Sequence, residues 1–109
     1  MKVKKITPLG KIKVEDFTLN NNHYHFNTPL YLDLKYIRYK YKSQNRYYCW
    51  EPVFEIYALG KTQESMLIDF QECWDELYRG FVFEDENILD DSAKALKREL
   101  LEYCKINKG

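Results

Sequence analysis

Phe54-Glu55-Ile56-Tyr57-Ala58-Leu59-Gly60-Lys61-Thr62-Gln63-Glu64-Ser65-Met66-Leu67-Ile68-Asp69-Phe70 changes its hydrophobic period midway, and that change decides the fold class. Phe54, Ile56 and Ala58 recur every second residue, the period of a strand with one buried face. Gly60 ends the run, Thr62 can cap the first free N–H groups of a helix, and Glu64 sits well in its first turn. From there Met66, Phe70, Trp74 and Leu77 recur at helical spacing, with Leu67, Cys73 and Tyr78 widening the stripe. The pattern predicts a helix over 62–79, with Gly80 as the residue just past its end.

Upstream, every segment reads as strand. Residues 7–10 (Thr-Pro-Leu-Gly) look like a turn leading into the alternation Lys11-Ile12-Lys13-Val14. After an Asn20-Asn21-Asn22 turn, His23-Tyr24-His25-Phe26 alternates again with both rings on one side. Leu30, Leu32, Leu34 and Tyr36 share a face. Then Ile37, Tyr39 and Tyr41 take over as the ring face, and such a flip in parity predicts a β-bulge or sharp twist near Tyr36-Ile37. Ser43-Gln44-Asn45 turns the chain into a return strand running to Ala58, at an edge or interrupted at Pro52, which cannot donate to a ladder.

Downstream, an aromatic then acidic loop leads to Asp90 or Asp91, either of which can cap a second helix. Its inner stripe is Ala93, Leu96, Leu100 and Tyr103, and Lys105 and Lys108 lie near its expected end at 105. The fold class that follows is α+β. It comprises a single domain over 1–109, strand-rich over 1–58 and helical over 62–105, with an antiparallel sheet of about four strands and both helices packed on one face.

Composition narrows the function classes. With 109 residues, 45% of them apolar and 17% aromatic, the chain can bury a core without a disulfide or structural metal. Cys49, Cys73 and Cys104 are odd in number and form no C-x-x-C, which points to reduced thiols in the cytoplasm. No apolar run is long enough for a membrane span, and the basic start lacks the apolar stretch of a signal peptide. A net charge of zero conceals a division. Residues 1–50 hold ten Lys and Arg against three Asp and Glu, and residues 51–109 hold seven against fourteen. Such halves suit packing against each other or against another copy, or an oppositely charged partner.

Few residues suggest chemistry. His23-x-His25 could begin a metal site, but no further ligand set completes one, so no metal or cofactor is expected. No catalytic motif or Gly-rich phosphate loop is present, and the expectation is a protein without enzymatic activity. Two surfaces remain as binding candidates. The first is acidic: Glu72, Asp75 and Glu76 on the first helix, balanced by Arg79 alone. The second is basic and aromatic: Arg38, Lys40 and Lys42 interleaved with Tyr39 and Tyr41, within a hairpin over 35–50. Cations and flat rings on a sheet can hold a nucleic-acid backbone while bases stack. Strand alternation alone also yields this pattern in a solvated hairpin with its rings in the core, and that is the preferred reading.

The strand, the Gly60-Lys61-Thr62-Gln63-Glu64 turn and the helix to Phe70 resemble the corresponding segment of HicB-like antitoxins. Asp90-Asp91-Ser92-Ala93-Lys94-Ala95-Leu96-Lys97 is similar to the tail helix of small antitoxin-like proteins. The resemblance implies a sheet with helices on one face and a role in binding and inhibiting a small toxin protein, without catalysis. The leading expectation is therefore a protein-binding module, antitoxin-like, that neutralises a small partner by occlusion, or that self-associates. Nucleic-acid binding through the hairpin is the alternative.

Overall fold

The computed structural model describes residues 2–108. Two long strands, β1 (Val3–Leu19) and β2 (Asn22–Tyr39), form a hairpin; β3 (Arg46–Glu51) and β4 (Ile56–Gly60) extend it. Helices α1 (Gln63–Val82) and α2 (Asp91–Tyr103) follow, and β5 (Cys104–Lys108) closes the described chain. The antiparallel sheet runs β1-β2-β3-β4, and β5 pairs with the first part of β2. An antiparallel sheet followed by two helices is the α+β arrangement expected from the change of period.

Local chemistry accounts for the turns. Asn20 and Asn21 both take the left-handed conformation that a two-residue hairpin loop demands, with Leu19 and Asn22 paired beside them. Residues 52–55 turn between β3 and β4, so the return strand is interrupted at Pro52. The Glu51 carboxylate braces that turn by accepting the N–H groups of Val53 and Phe54, each at 2.8 Å. Thr62 and Ser65 cap α1 reciprocally: each side chain accepts the other's backbone N–H, at 3.0 and 3.1 Å. Gly60 must be glycine here, because a Cβ would collide with the backbone of Met66 in that first turn.

Both helices contact the sheet from one side, and the core fills the space between. Met66, Phe70, Trp74 and Tyr78 of α1 are buried, with Leu100 of α2, against Tyr24, Phe26, Leu30, Leu32 and Cys49. Trp74 packs between Phe26 and Phe54, at ring distances of 4.9 and 5.2 Å. The Tyr78 hydroxyl donates to the Cys104 carbonyl at 3.0 Å, fastening α1 to the start of β5.

Four expectations need correction. Residues 7–10 are no turn: β1 runs straight through, and its register shifts between Pro8 and Gly10, where Gly10 has φ of 100°. An edge strand absorbs such irregularity because its outer side has no ladder to disturb. The parity flip at Tyr36-Ile37 involves no bulge in β2, whose pairing with β3 is unbroken from Asp33 to Ile37. Helix α1 continues through Gly80 to Val82. Finally, α2 stops at Tyr103, and residues expected to finish it form β5, so Lys105 lies on a strand opposite His25 rather than at a helix end.

The molecule measures 49 × 30 × 21 Å with a radius of gyration of 15.8 Å, against about 13 Å for a compact chain of this length. The β1–β2 hairpin has its loop at Asn20-Asn21 and its open end where Val3 pairs with Tyr39. Helix α1 begins beside Gly60, level with Tyr47 and hence with Tyr36 across the sheet, and runs toward the Asn20-Asn21 loop, away from the open end at Val3 and Tyr39.

Candidate nucleic-acid interface

Beyond Tyr36 the hairpin projects past the helices, and its basic residues gather there. Lys4 from β1 joins Tyr36, Arg38, Tyr39, Lys40, Lys42 and Asn45 around a groove of about 460 Å³. Asn45 closes the local loop, its Oδ1 accepting the Tyr39 N–H at 3.0 Å, and the Lys40 N–H donates to the Lys2 carbonyl at 3.0 Å. These bonds fix the strand ends while leaving the cationic heads of Lys4, Arg38, Lys40 and Lys42 in solvent. Tyr41 lies outside the groove, 59% exposed, with the Lys40 ammonium 5.9 Å from its ring centre. Four of the five residues picked out for this face, Arg38, Tyr39, Lys40 and Lys42, thus line one feature. Lys4 was missed because its partners lie more than thirty positions away in sequence, although the basic run at the start of the chain was visible.

The electrostatic field here has one sign. Residues 2–10 and 34–50 contain eight Lys and Arg and not one Asp or Glu. These are the strands that β1, β2 and β3 bring side by side. Of the hairpin's rings only Tyr47 packs against the core, so the expectation that they lie there fails for the others. Tyr36, Tyr39, Tyr47, Tyr48 and Trp50 are only half-buried and Tyr41 is exposed, whereas the core rings are Phe17, Tyr24, Phe26, Phe70, Trp74 and Tyr78.

The acidic face is smaller than its sequence suggested. Glu72 and Glu76 are exposed, but Asp75 is buried at 9% exposure and committed internally. Its Oδ1 accepts the hydroxyl of buried Tyr24, and its Oδ2 lies 3.4 Å from the Arg79 guanidinium. Helical spacing marks Asp75 as polar but gives no sign of the tyrosine waiting on β2. Asp69 is also occupied, accepting the Leu59 N–H at 3.0 Å.

The remaining reactive groups are held quiet. Burial pushes the Cys49 thiol up to about 11 and Cys104 up to about 12. Cys73 is raised by partial burial and then by Asp69, Glu76 and Glu72. All three are free and protonated at neutral pH, unlike an activated nucleophile. Burial also raises Glu51, against the lowering effect of its two N–H donors. His23 and His25 lie opposite buried Tyr24 and Phe26, and His23 Nδ1 is 3.0 Å from the Thr18 hydroxyl. Among the described residues no group of three or more His, Cys, Asp and Glu is placed to hold a metal, and no helix is long and apolar enough to cross a membrane.

Comparison with protein-family models, with curated proteins and with solved structures finds no match for this chain.

Proposed function

We propose that this protein is a non-enzymatic nucleic-acid-binding module whose contact surface is the uncovered end of the β1–β2–β3 sheet. The observation that carries the reading is that tyrosines interleaved with Arg38, Lys40 and Lys42 stay out of the core, at a sheet end where residues 2–10 and 34–50 hold eight Lys and Arg and no Asp or Glu. A projecting cationic sheet follows a phosphate backbone and releases its counterions, while accessible rings remain for bases. Fluorescence anisotropy with a labelled random oligonucleotide tests this. Wild-type protein binds, Arg38→Glu/Lys40→Glu binds at least tenfold more weakly, and Glu72→Lys/Glu76→Lys does not weaken it. A wild-type protein that leaves the probe free at about 50 mM salt refutes the proposal.

A second reading, an antitoxin-like module that occludes a small basic protein, is supported by exposed Glu72 and Glu76 one turn apart, with nearby Arg79 placed against Asp75. In that case a basic partner, once identified, loses affinity when both glutamates become lysine.

A further inference from the structure

The sheet face opposite the helices carries a second arrangement of rings. On β4, Tyr57 stands across from Trp50 of β3, their ring centres 6.2 Å apart and their planes 29° from parallel. On its other side Tyr48 lies 6.1 Å away at 30°. Tyr57 is 60% exposed, and both helices pack on the other side of the sheet, against the Ala58 and Cys49 face. The three rings therefore form a shallow row, Tyr57 exposed and Tyr48 and Trp50 half-buried. Lys35 pairs with Tyr48 in the register and carries the cationic strip alongside. Asp33 is the one carboxylate in the strand register beside the row; it lies across from Lys11. Arg46, two residues from Tyr48 on β3, shares this face and lines a hollow with Tyr39, Gln44 and Leu59, whereas Arg38, of the same parity as buried Leu34, lies on the other face.

Resting on the nucleic-acid reading, we propose that the ligand is single-stranded, with bases stacked on the Tyr48–Tyr57–Trp50 row while its backbone runs past Lys35 to Arg46, which share that sheet face. The argument is one of accessibility. In a duplex the flat faces of the bases are stacked on one another and only edges and backbone meet a protein. Such a row of rings has nothing to stack with there. In a single strand every base offers a π-face, so the row engages without regard to sequence. Charge complementarity commits the face to this occupant: Lys35 and Arg46 beside the rings suit phosphates, and Asp33 is offset by Lys11 across from it.

The test compares a labelled single-stranded 12-mer with a hairpin duplex of equal charge, using full-length protein and two readouts. Anisotropy gives affinity, and Trp50 emission reports stacking, since Trp74 is fully buried. The single strand binds at least tenfold more tightly than the duplex and quenches Trp50. Tyr57→Ala, at a solvent-facing position, weakens the single strand about tenfold and leaves the duplex unchanged. Equal affinity for both probes, no quenching and no effect of Tyr57→Ala overturn the stacking proposal, and leave the nucleic-acid reading intact if Arg38→Glu/Lys40→Glu still weakens both. Binding of neither probe overturns both.

Discussion

Replacing Tyr24 by Phe removes one hydroxyl and almost no apolar surface, so its effect isolates the hydrogen bond to Asp75. Tyr24 is fully buried on β2, and Asp75 on α1 keeps 9% exposure. A hydrogen bond to a charged group contributes about 1.5–3 kcal/mol, and a carboxylate left short of a donor in a buried site adds its desolvation penalty. Arg79 offsets part of this at 3.4 Å, but its side chain is more than half exposed and solvent screens it. We expect Tyr24→Phe to destabilise by about 2 kcal/mol, lowering the melting temperature by roughly 8 °C. The assay is urea unfolding of a double-mutant cycle with Asp75→Ala. The two singles should be non-additive by more than about 1 kcal/mol, as expected for residues sharing one bond. Additive effects, or Tyr24→Phe unfolding with the wild type, would show that Asp75 is not held by Tyr24 and return it to the surface available to a partner.

Three further outcomes follow from the same packing. Phe70→Ala enlarges the space between α1 and β1, where a cavity of about 150 Å³ already lies beside Phe70; it should cost about 3–5 kcal/mol in urea unfolding, and a loss under 1 kcal/mol would misplace the inner stripe of α1. Glu55, an exposed residue at φ of 56° in the β3–β4 turn, should become Asn with a gain of about 1 kcal/mol, because Asn tolerates the left-handed region that Glu resists; a loss on thermal melting would refute this. At alkaline pH the fold should weaken. Burial and then the bond to Asp75 drive the Tyr24 hydroxyl far up, and burial takes Tyr78 to about 12, so the folded state holds both protons more tightly than the unfolded chain does. That stabilisation is complete below about pH 10, the unfolded value, and is lost as pH rises above it. Absorbance at the tyrosinate band should show both rings ionising only with loss of the far-UV signal, and ionisation of all ten tyrosines in an intact fold would contradict the packing.

What could be read from the chain is what local chemistry determines. Thr62 caps α1, Asp90 caps α2 by accepting the Ala93 N–H, Asn20-Asn21 makes the hairpin loop, and alternating Leu30, Leu32 and Leu34 are all buried. What could not be read depends on distant partners. Strand β5 contains one large apolar residue, Ile106, follows α2 without Gly or Pro, and exists because the first part of β2 offers an open edge. The parity flip suggests a bulge or sharp twist in β2, yet the extra residues fall on β1, opposite Leu34-Lys35 and Arg38-Tyr39, and alternation constrains a strand only where one face is covered. Past Leu34 the helices no longer cover β2, so Tyr36 and Ile37 are both half-buried with the pairing undisturbed. The same departure from the helices made the candidate interface. Its residue types were evident along 35–50, but their exposure and the addition of Lys4 come from how far the hairpin projects.

The salt dependence of oligonucleotide binding tests the central claim most directly. If the cationic end of the sheet follows a phosphate backbone, the logarithm of affinity falls linearly with the logarithm of salt concentration, by about 0.7 per phosphate neutralised on a single strand. Arg38→Glu/Lys40→Glu should then flatten the slope by at least about 1.4 while the fold stays intact, which corresponds to two phosphates no longer neutralised. A wild-type protein whose affinity ignores salt, or a double variant with an unchanged slope, would contradict the assignment of this surface to nucleic acid.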